Sequence, residues 1–520
     1  MIKRFLPFIC GLAAALPIFF PQIGLIQWIL TVPFALLCFS ESEGEGRRRH
    51  FREYKIGFFF FFGFYLVCYS WFLSMYPLSV TGMPVAAALG VVLLALMGIS
   101  FFQSLGFAII LPIFRTALRR GLPRGVLPIF MGALWCIGEW LQNFFWFGFP
   151  WVRLSLGQVE NPALSRSANL FGSYFVTFLI VSVNFYIALA IRAGQKKKRI
   201  AFSFAAALIF LLNGIYGMLD LHISSGKTRE TVRISALQGN ISTEEKWSDY
   251  MLESTFEIYE RLCAEASEDG AGYALFPETV FPYVAEFHPD IDFALRNWAY
   301  KYDMTLMVGT FGDTEEGTSN IIRVYEPYKY GVNVYSKQRP VPFGEYVPMR
   351  DVIMTVLPIL GEINMLNRSL VPGEDSSVWQ SCDGSFGYLI CFDSIYDSAA
   401  RESVRNGAEA LMISTNDSWF GDSVGARMHS AQAILRAVEN GRSVVRAANT
   451  GISSVISLEG EIKELIECDI AGQVTADVEL SRELTLYTRI GNAFIYICIA
   501  LTIFCLAPRK FWNKITVRSS

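Results

Sequence analysis

The sequence predicts a membrane-embedded α-helical bundle joined to a separate α/β domain. Hydrophobic residues make up 52% of the 520 residues, which is more than an ordinary soluble protein contains. Long apolar runs fill the first part of the chain, and one more lies near its end. Between them, nine short β-rich runs alternate with amphipathic helical stretches, a pattern typical of layered α/β domains. These runs lie at 232–237, 273–276, 305–308, 321–325, 332–335, 386–390, 410–414, 444–447 and 453–458. We therefore expect a seven-span bundle at 1–220, an α/β domain at 228–486, an eighth transmembrane helix at 487–510 and a cytoplasmic tail at 511–520.

Eight apolar runs predict about eight transmembrane helices. The longer runs meet the requirement of roughly 20 residues for crossing a bilayer. The first run has no small-residue cleavage site after it and is followed at once by another, so we interpret it as a retained span and not as a signal peptide. The runs lie at about 5–20, 24–40, 56–76, 84–114, 126–147, 168–192, 200–219 and 489–507.

The charge pattern gives an orientation. Lys and Arg cluster after the second, fourth, sixth and eighth runs, whereas the alternate loops hold few of them. Basic loops stay in the cytoplasm, so seven spans would place residues 220–488 on the outer side of the membrane. The net charge is only −3, which gives no basic field for nucleic acid.

Polar residues within the apolar runs allow two interpretations. Glu139 and Gln142 lie in the run at 126–147. Such residues face a bundle interior, where they either serve function or form buried hydrogen bonds that order helix packing. The sequence leaves both open.

The ten cysteines show no CxxC and no Cys/His ligand spacing, so we expect neither a metal site nor a dense disulfide framework. Nothing in the sequence requires a dissociable cofactor. The four histidines lie in no local metal or catalytic pattern. Any cysteine chemistry would then use a different base.

Three reactive residues each follow a predicted strand of the α/β domain. Glu278 follows the strand at 273–276, Lys337 the strand at 332–335, and Cys391 the strand at 386–390. Ligands bind at the carboxyl ends of strands in such sheets, so the three could converge. A carboxylate can take the thiol proton, the thiolate can attack a carbonyl carbon, and an ammonium can stabilise the oxyanion.

The stretch after the cysteine predicts a helix. Residues 395–406 have an amphipathic pattern, and the first-turn N–H groups of such a helix would point back towards Cys391. A helix N-terminus favours the thiolate.

The order Glu278, Lys337, Cys391 resembles the Glu-Lys-Cys triad of the nitrilase superfamily. Longer strings are similar to one membrane branch of it, the bacterial apolipoprotein N-acyltransferases. These strings are Leu237-Gln238-Gly239-Asn240, Lys246-Trp247, Pro342-Phe343-Gly344-Glu345-Tyr346-Val347-Pro348 and Ser414-Thr415-Asn416-Asp417-Ser418-Trp419-Phe420-Gly421.

The resemblance implies an α-β-β-α sandwich and a reaction. An acyl chain would pass from a membrane phospholipid, through a thioester on Cys391, to the α-amino group of the diacylglyceryl-cysteine of an apolipoprotein. Glu278 would act as general base, and Lys337 with the backbone N–H of Phe392 would stabilise the oxyanion. The implied location is the bacterial cytoplasmic (inner) membrane, with the catalytic domain on the periplasmic side. We expect a monomer.

The resemblance also suggests supporting residues. Glu345 would help to place Lys337, and Trp247 and Trp419 would lie around the acyl chain. After the nucleophile, the chain has Phe392-Asp393 where the family commonly has Tyr-Glu. Hydrogen bonds from these two side chains are therefore in question.

Residues 352–370 are unusually apolar for a connection in a water-facing domain. They predict either a lid at the membrane surface that admits the lipid tail to Cys391, or an insertion packed into the core.

Two other functions remain possible at this point. A membrane-tethered amidase or nitrilase-type hydrolase could use the same triad on a small amide, although a soluble substrate would not need a bundle. A transporter or receptor would carry polar residues through several spans, but only Glu139, Gln142 and Asn143 stand out.

Overall fold

The computed structural model describes residues 2–507, apart from 41–45, 79–83, 145–148, 243–245, 247–250, 348, 350, 352–354, 356–368 and 375–377. The chain divides into two compact units. The first contains the residues up to Ser70, Leu93–Ser225 and the residues from Ile490 onward, and the second contains Trp71–Val92 and Gly226–Arg489.

The first unit is a bundle of α-helices. Glycines allow close helix packing in it, since a Cβ at Gly11 would lie 1.9 Å from the carbonyl oxygen of Phe60, and one at Gly63 would lie 2.4 Å from that of Phe8. The helices are Ile2–Phe19, Gln27–Leu30, Val32–Cys38, Gly46–Cys68, Val85–Phe107 (which continues from the second unit), Ile110–Arg119, Leu127–Leu141, Pro162–Ser165, Ala168–Phe171, Ser173–Arg192, Lys196–Ser225 and Ala493–Leu506.

Four segments of the described chain are long and apolar enough to cross a membrane: Pro21–Cys38, Val85–Arg119, Ser173–Arg192 and Lys196–Ser225. Three further apolar helices are shorter: Phe5–Phe19, Leu127–Leu141 and Ala493–Leu506. Each predicted run thus coincides with helical structure, but the count of eight spans is not confirmed. The second run is broken into a 3-10 helix, Pro21–Ile26, and two short α-helices. Prolines lie at the start of the 3-10 helix and of the second α-helix, Val32–Cys38.

The second unit contains two six-stranded mixed sheets. The first has the order β12-β1-β2-β3-β4-β5 and the second β11-β10-β9-β8-β7-β6. The strands are β1 Thr231–Gln238, β2 Tyr273–Leu275, β3 Thr305–Thr314, β4 Gly317–Tyr325, β5 Val332–Ser336, β6 Val378–Gln380, β7 Ser385–Ile390, β8 Ala410–Thr415, β9 Ser443–Ala448, β10 Ser453–Ile456, β11 Ile462–Ile466 and β12 Gly472–Glu479.

The two sheets pack face to face over one apolar core, to which β1, β2 and β3 contribute from the first sheet and β7, β8 and β9 from the second. Helices Met251–Glu268 and Pro289–Lys301 bury a second core against the outer face of the first sheet. Helices Asp397–Arg405 and Val424–Asn440 pack against the second sheet. This layering confirms the expected α-β-β-α sandwich. A short helix, Leu486–Ile490, ends the unit.

The helix predicted at 395–406 coincides with the α-helix Asp397–Arg405, and a 3-10 helix, Cys391–Ile395, joins it to β7. The structure differs from the sequence prediction at three strands that were missed: the three-residue β6, and the half-exposed or charged β11 and β12.

Candidate active site

The carboxyl ends of three strands carry the predicted reactive residues. β2 runs parallel to β1 and β3, and Glu278 lies three residues beyond its end. Lys337 directly follows β5, and Cys391 directly follows β7, which runs parallel to β8. The charges of Glu278 and Lys337 both act on Cys391.

Glu278 links the two sheets. Its backbone N–H donates to the carbonyl oxygen of Thr415 at the end of β8, over 3.3 Å. Its carboxylate accepts hydrogen bonds from the Asn416 backbone N–H at 3.0 Å and from Asn320 Nδ2 at 2.6 Å. Hydrogen bonds from both sheets therefore fix the side chain. The residue is buried, with 5% of its surface exposed.

A glycine allows the Glu278 segment to lie against β3. A Cβ at Gly309 would be 2.3 Å from the carbonyl oxygen of Pro277 and 2.9 Å from the Cα of Glu278. Any larger residue at position 309 would push the carboxylate out of place.

Lys337 lies between two carboxylates. Its Nζ donates to Glu278 Oε1 and to Glu345 Oε1, each over 2.8 Å. Burial of Lys337 would lower the pKa of its ammonium, but the charges of Glu278 and Glu345 outweigh burial and raise that pKa well above its usual value. The lysine is thus held as a cation. Glu345 Oε2 also accepts from the Val341 N–H at 2.8 Å.

Cys391 has a strained backbone and a thiol whose pKa is raised. Its φ of +48° is in the left-handed region, which costs a non-glycine residue of order 1 kcal/mol or more. Burial and the Glu278 charge raise the pKa of the thiol well above its usual value, while Lys337 and a hydrogen bond with Thr415 act in the opposite direction. A thiol in this state needs a base to become a nucleophile. The structure thus favours the thiol over the thiolate expected from a helix N-terminus.

The two residues after the cysteine are both buried. The Asp393 carboxylate accepts from the backbone N–H groups of Ile390 at 3.0 Å and Arg339 at 2.8 Å, and from the Tyr335 hydroxyl at 3.1 Å. It therefore ties the end of β7 to the segment after β5. The Phe392 ring packs edge-on against Tyr396, with centroids 5.5 Å apart. Asp393 thus forms three hydrogen bonds, although its side chain is shorter than that of the glutamate common in the family.

Lys246 supports the turn after Glu278. Its buried Nζ donates to the backbone carbonyl oxygen of Glu278 at 3.0 Å and to Thr279 Oγ1 at 2.9 Å. Thr279 has a φ of +47°, which is unusual for a β-branched residue. Burial lowers the pKa of Lys246 to about 7, against an opposing effect of the Glu278 charge.

The structure says less about the remaining predicted residues. Trp419 is half-buried and lies two residues after Asp417. Trp247 and almost all of the apolar stretch 352–370 lie outside the described residues. Among the residues that the structure describes, no group of three His, Cys, Asp or Glu side chains is positioned to hold a metal ion.

Sequence reasoning missed two sets of residues at this site. Asn320 lies in the middle of β4 and is only 2% exposed. The sequence shows no more than a polar amide within a strand. His429 lies 38 residues beyond Cys391 on the helix Val424–Asn440, and its Nε2 is 3.2 Å from the carbonyl oxygen of Cys391. No local spacing connects these residues with the triad.

Both parts of the chain match known families. The apolipoprotein N-acyltransferase N-terminal domain matches residues 10–186, and the carbon-nitrogen hydrolase domain matches residues 233–484. The apolipoprotein N-acyltransferase of Allorhizobium ampelinum is 30% identical over 366 residues, which cover 68% of this chain and 67% of the relative. That of Geobacter metallireducens is 28% identical over 500 residues, which cover 94% of this chain and 92% of the relative.

Among solved structures, an amidase of the nitrilase superfamily from Nesterenkonia AN1 is 18% identical, with a TM-score of 0.39. The match covers 52% of this chain and 98% of the amidase chain. The sequence relationships to the acyltransferases extend further, through the apolar helices as well as the sandwich. The chain is a membrane protein that belongs to the apolipoprotein N-acyltransferase family.

Proposed function

We propose that the protein transfers a fatty acyl chain from a membrane phospholipid to the α-amino group of the diacylglyceryl-cysteine of apolipoproteins, the last step of lipoprotein maturation. Cys391 carries the chain as a thioester. The observation that supports this most directly is the buried Lys337 ammonium between the carboxylates of Glu278 and Glu345. The charges of Lys337 and Glu278 both act on the Cys391 thiol, whose pKa burial raises. This arrangement supplies a base, a nucleophile and a cation at one site.

In the first half-reaction Glu278 takes the proton of the Cys391 thiol as the sulfur attacks the ester carbonyl carbon of the phospholipid. The carbonyl oxygen becomes an oxyanion, which Lys337 and the Phe392 N–H stabilise. The oxyanion collapses, the bond from carbon to the glycerol oxygen breaks, and Glu278 returns the proton to that oxygen. Lysophospholipid leaves and the thioester remains.

In the second half-reaction the α-amine attacks the thioester carbon and gives a proton to Glu278. The carbon–sulfur bond breaks, an amide forms, and the proton returns to the sulfur. A second oxyanion forms at the same position, so one cation serves both halves. The two substrates therefore react in ping-pong order.

The rest of the chain provides access to lipid in this proposal. Residues 1–220 and 487–510 hold the enzyme in the cytoplasmic (inner) membrane, and residues 228–486 form the catalytic domain on the periplasmic side. Apolar helices such as Lys196–Ser225 support contact with lipid, because only 17% of the apolar 18-residue window in that helix is buried. Glu345 positions Lys337, and Trp247 and Trp419 line the acyl chain. The enzyme acts as a monomer.

Intact mass spectrometry tests the proposal. The purified protein is incubated with phospholipid alone, beside Cys391→Ala and Cys382→Ala, the latter a control at an exposed cysteine. We expect a fatty-acyl mass increment on the wild type and on Cys382→Ala but not on Cys391→Ala. A diacylglyceryl-cysteine peptide should then remove the increment and become N-acylated. A folded wild type that forms no adduct, or one whose adduct is lost to water while the peptide stays unmodified, would contradict it.

A further inference from the structure

The backbone carbonyl of Cys391 is held by two side chains. Its oxygen accepts from Ser394 Oγ at 2.7 Å and faces His429 Nε2 at 3.2 Å. A residue with a left-handed φ persists only where its surroundings fix it. These two contacts act on the peptide that joins Cys391 to Phe392, whose N–H belongs to the proposed oxyanion site.

His429 is itself fixed by a buried ion pair. Its Nδ1 lies 2.8 Å from Asp417 Oδ1, and Arg446 Nη2 donates to Asp417 Oδ2 over 2.6 Å. His429 is 1% exposed and Asp417 is equally buried. Arg446 also donates to the carbonyl oxygen of Ile452. The ring thus lies between a carboxylate oxygen and the carbonyl oxygen of Cys391, and its Nε2 is also 3.1 Å from Ser394 Oγ. Both of the first two oxygens can only accept, so the ring donates to both when each of its nitrogens carries a proton.

The anchor has little freedom to move. A Cβ at Gly451 would be 2.5 Å from both the Cβ and Oδ2 of Asp417, so the carboxylate lies directly against that glycine. Burial would raise the pKa of Asp417, but the Arg446 and His429 charges outweigh it and lower that pKa below its usual value. Asp417 therefore remains an anion that orients the ring.

Asp417 also reaches the sulfur end of Cys391. Thr415 Oγ1 donates its single proton to Asp417 Oδ1 over 3.0 Å, so in its hydrogen bond with Cys391 the hydroxyl oxygen accepts from the thiol. One carboxylate therefore connects to the nucleophile by two routes, through Thr415 to the sulfur and through His429 to the carbonyl oxygen.

We propose that His429, held by Asp417 and Arg446, is a positioning residue that fixes the backbone of Cys391 in its left-handed conformation, and with it the thiol and the Phe392 N–H. The ring acts on the nucleophile's backbone and leaves proton transfer to Glu278. The inference rests on the proposed function, since it assumes that Cys391 is acylated.

Two substitutions of similar length separate positioning from packing. His429→Gln keeps an N–H donor near the position of Nε2, whereas His429→Met fills the space without one. A misplacement of about 1 Å costs roughly 100-fold in rate, so we expect Cys391 acylation by phospholipid to be about 100-fold slower in the methionine variant. The glutamine variant should stay within about tenfold of wild type. The phospholipid concentration for half-maximal rate should change less than about twofold in both, because the ring does not bind substrate.

The control is His288→Gln, which changes a histidine at the start of the helix Pro289–Lys301 and should acylate at the wild-type rate. A folded methionine variant that acylates like wild type overturns the proposal, and so does a glutamine variant as slow as the methionine one. If the methionine variant does not fold, Ser394→Ala removes the other donor to the same carbonyl, and an unchanged rate there overturns it. Failure of the wild type to form any adduct would instead reject the proposed function.

Discussion

The bundle and the sandwich each bury a glutamate that accepts three hydrogen bonds. In the bundle, Glu139 accepts from the Leu154 backbone N–H at 2.9 Å, the Thr177 hydroxyl at 2.9 Å and the Trp135 indole at 3.2 Å. In the sandwich, Glu278 accepts from Lys337, Asn320 and the Asn416 N–H.

The partners make the difference. The hydrogen bonds to Glu139 that the structure gives come from neutral donors on the bundle's own helices and loop, which is the arrangement of a carboxylate that orders packing. Glu278 has a buried ammonium as one hydrogen-bond donor, and its charge acts on the half-buried thiol of Cys391. The thiol on which the Glu139 charge acts, that of Cys136, is buried and donates to the backbone carbonyl oxygen of Tyr174 over 3.0 Å. A buried glutamate alone does not indicate a catalytic site, whereas a glutamate paired with an ammonium beside a half-buried thiol supports the one proposed here.

The largest expected effect is a slower acylation of Cys391 when Glu278 is substituted but not when Glu139 is. Glu278→Gln preserves shape but removes the base, and general base catalysis contributes 10²–10⁴-fold. We predict that Cys391 acylation, measured in a single turnover by mass spectrometry, slows about 1,000-fold. Glu139→Gln is the matched control and should stay within about threefold of wild type. Similar losses in both variants would remove the distinction between the two sites.

A smaller rate effect is expected at the neutral donor on Glu278. Asn320→Ala removes the 2.6 Å hydrogen bond to Oε1 and leaves the carboxylate with fewer constraints. We predict a 10-fold to 100-fold slower acylation, in line with the cost of misplacing a catalytic group. Ser319→Ala, which changes the neighbouring residue of β4, provides the control. An Asn320→Ala variant with unchanged rate would show that the Asn416 N–H and Lys337 hold Glu278 without it.

Loss of the Glu139 carboxylate should lower the stability of the protein and leave its acylation rate nearly unchanged. Glu139→Ala leaves the Leu154 N–H, Thr177 and Trp135 without their acceptor, and each unsatisfied buried donor costs about 1–3 kcal/mol. We predict a lower unfolding temperature in detergent, with the acylation rate of the remaining folded protein within about threefold of wild type. If thermal unfolding stays the same, Glu139 does not order the bundle.

The last prediction concerns a pH dependence of stability at Lys246. Buried Lys246 loses its proton near pH 7, whereas an unfolded lysine keeps it to about 10.5. The unfolded chain therefore binds more protons between these values, and stability rises with pH across that window. The difference in unfolding temperature between wild type and Lys246→Met should grow in favour of wild type from pH 7 to 10. With Lys463→Met, at an exposed lysine, the difference should stay flat; a flat difference for Lys246→Met as well would mean that its ammonium stays charged.

The sequence predicted most of the sandwich because buried strands carry a strong local signal. Nine strands coincide with apolar, β-branched runs. The charged edge strand β11 and the half-exposed β12 have weaker signals, because edges of sheets are half-solvated and tolerate charge. β6 is only three residues long.

At the site, the sequence predicted only those reactive residues that follow the end of a predicted strand. Glu278 and Lys337 were expected to meet, and their side chains lie 2.8 Å apart, while their catalytic roles remain predictions. Asn320 and His429 come from the middle of a strand and the face of a helix. Their position beside the triad depends on sheet register and helix packing, which a single sequence does not specify.

The most direct test of the central claim is to locate the acyl group after incubation with phospholipid alone. The chain has ten cysteines, and Cys382 is exposed while Cys391 is half-buried. We predict that tandem mass spectrometry of proteolytic peptides finds the acyl group on Cys391 and that neutral hydroxylamine, which cleaves thioesters, releases it. An acyl group on Cys382, or on any residue other than Cys391, would contradict the account.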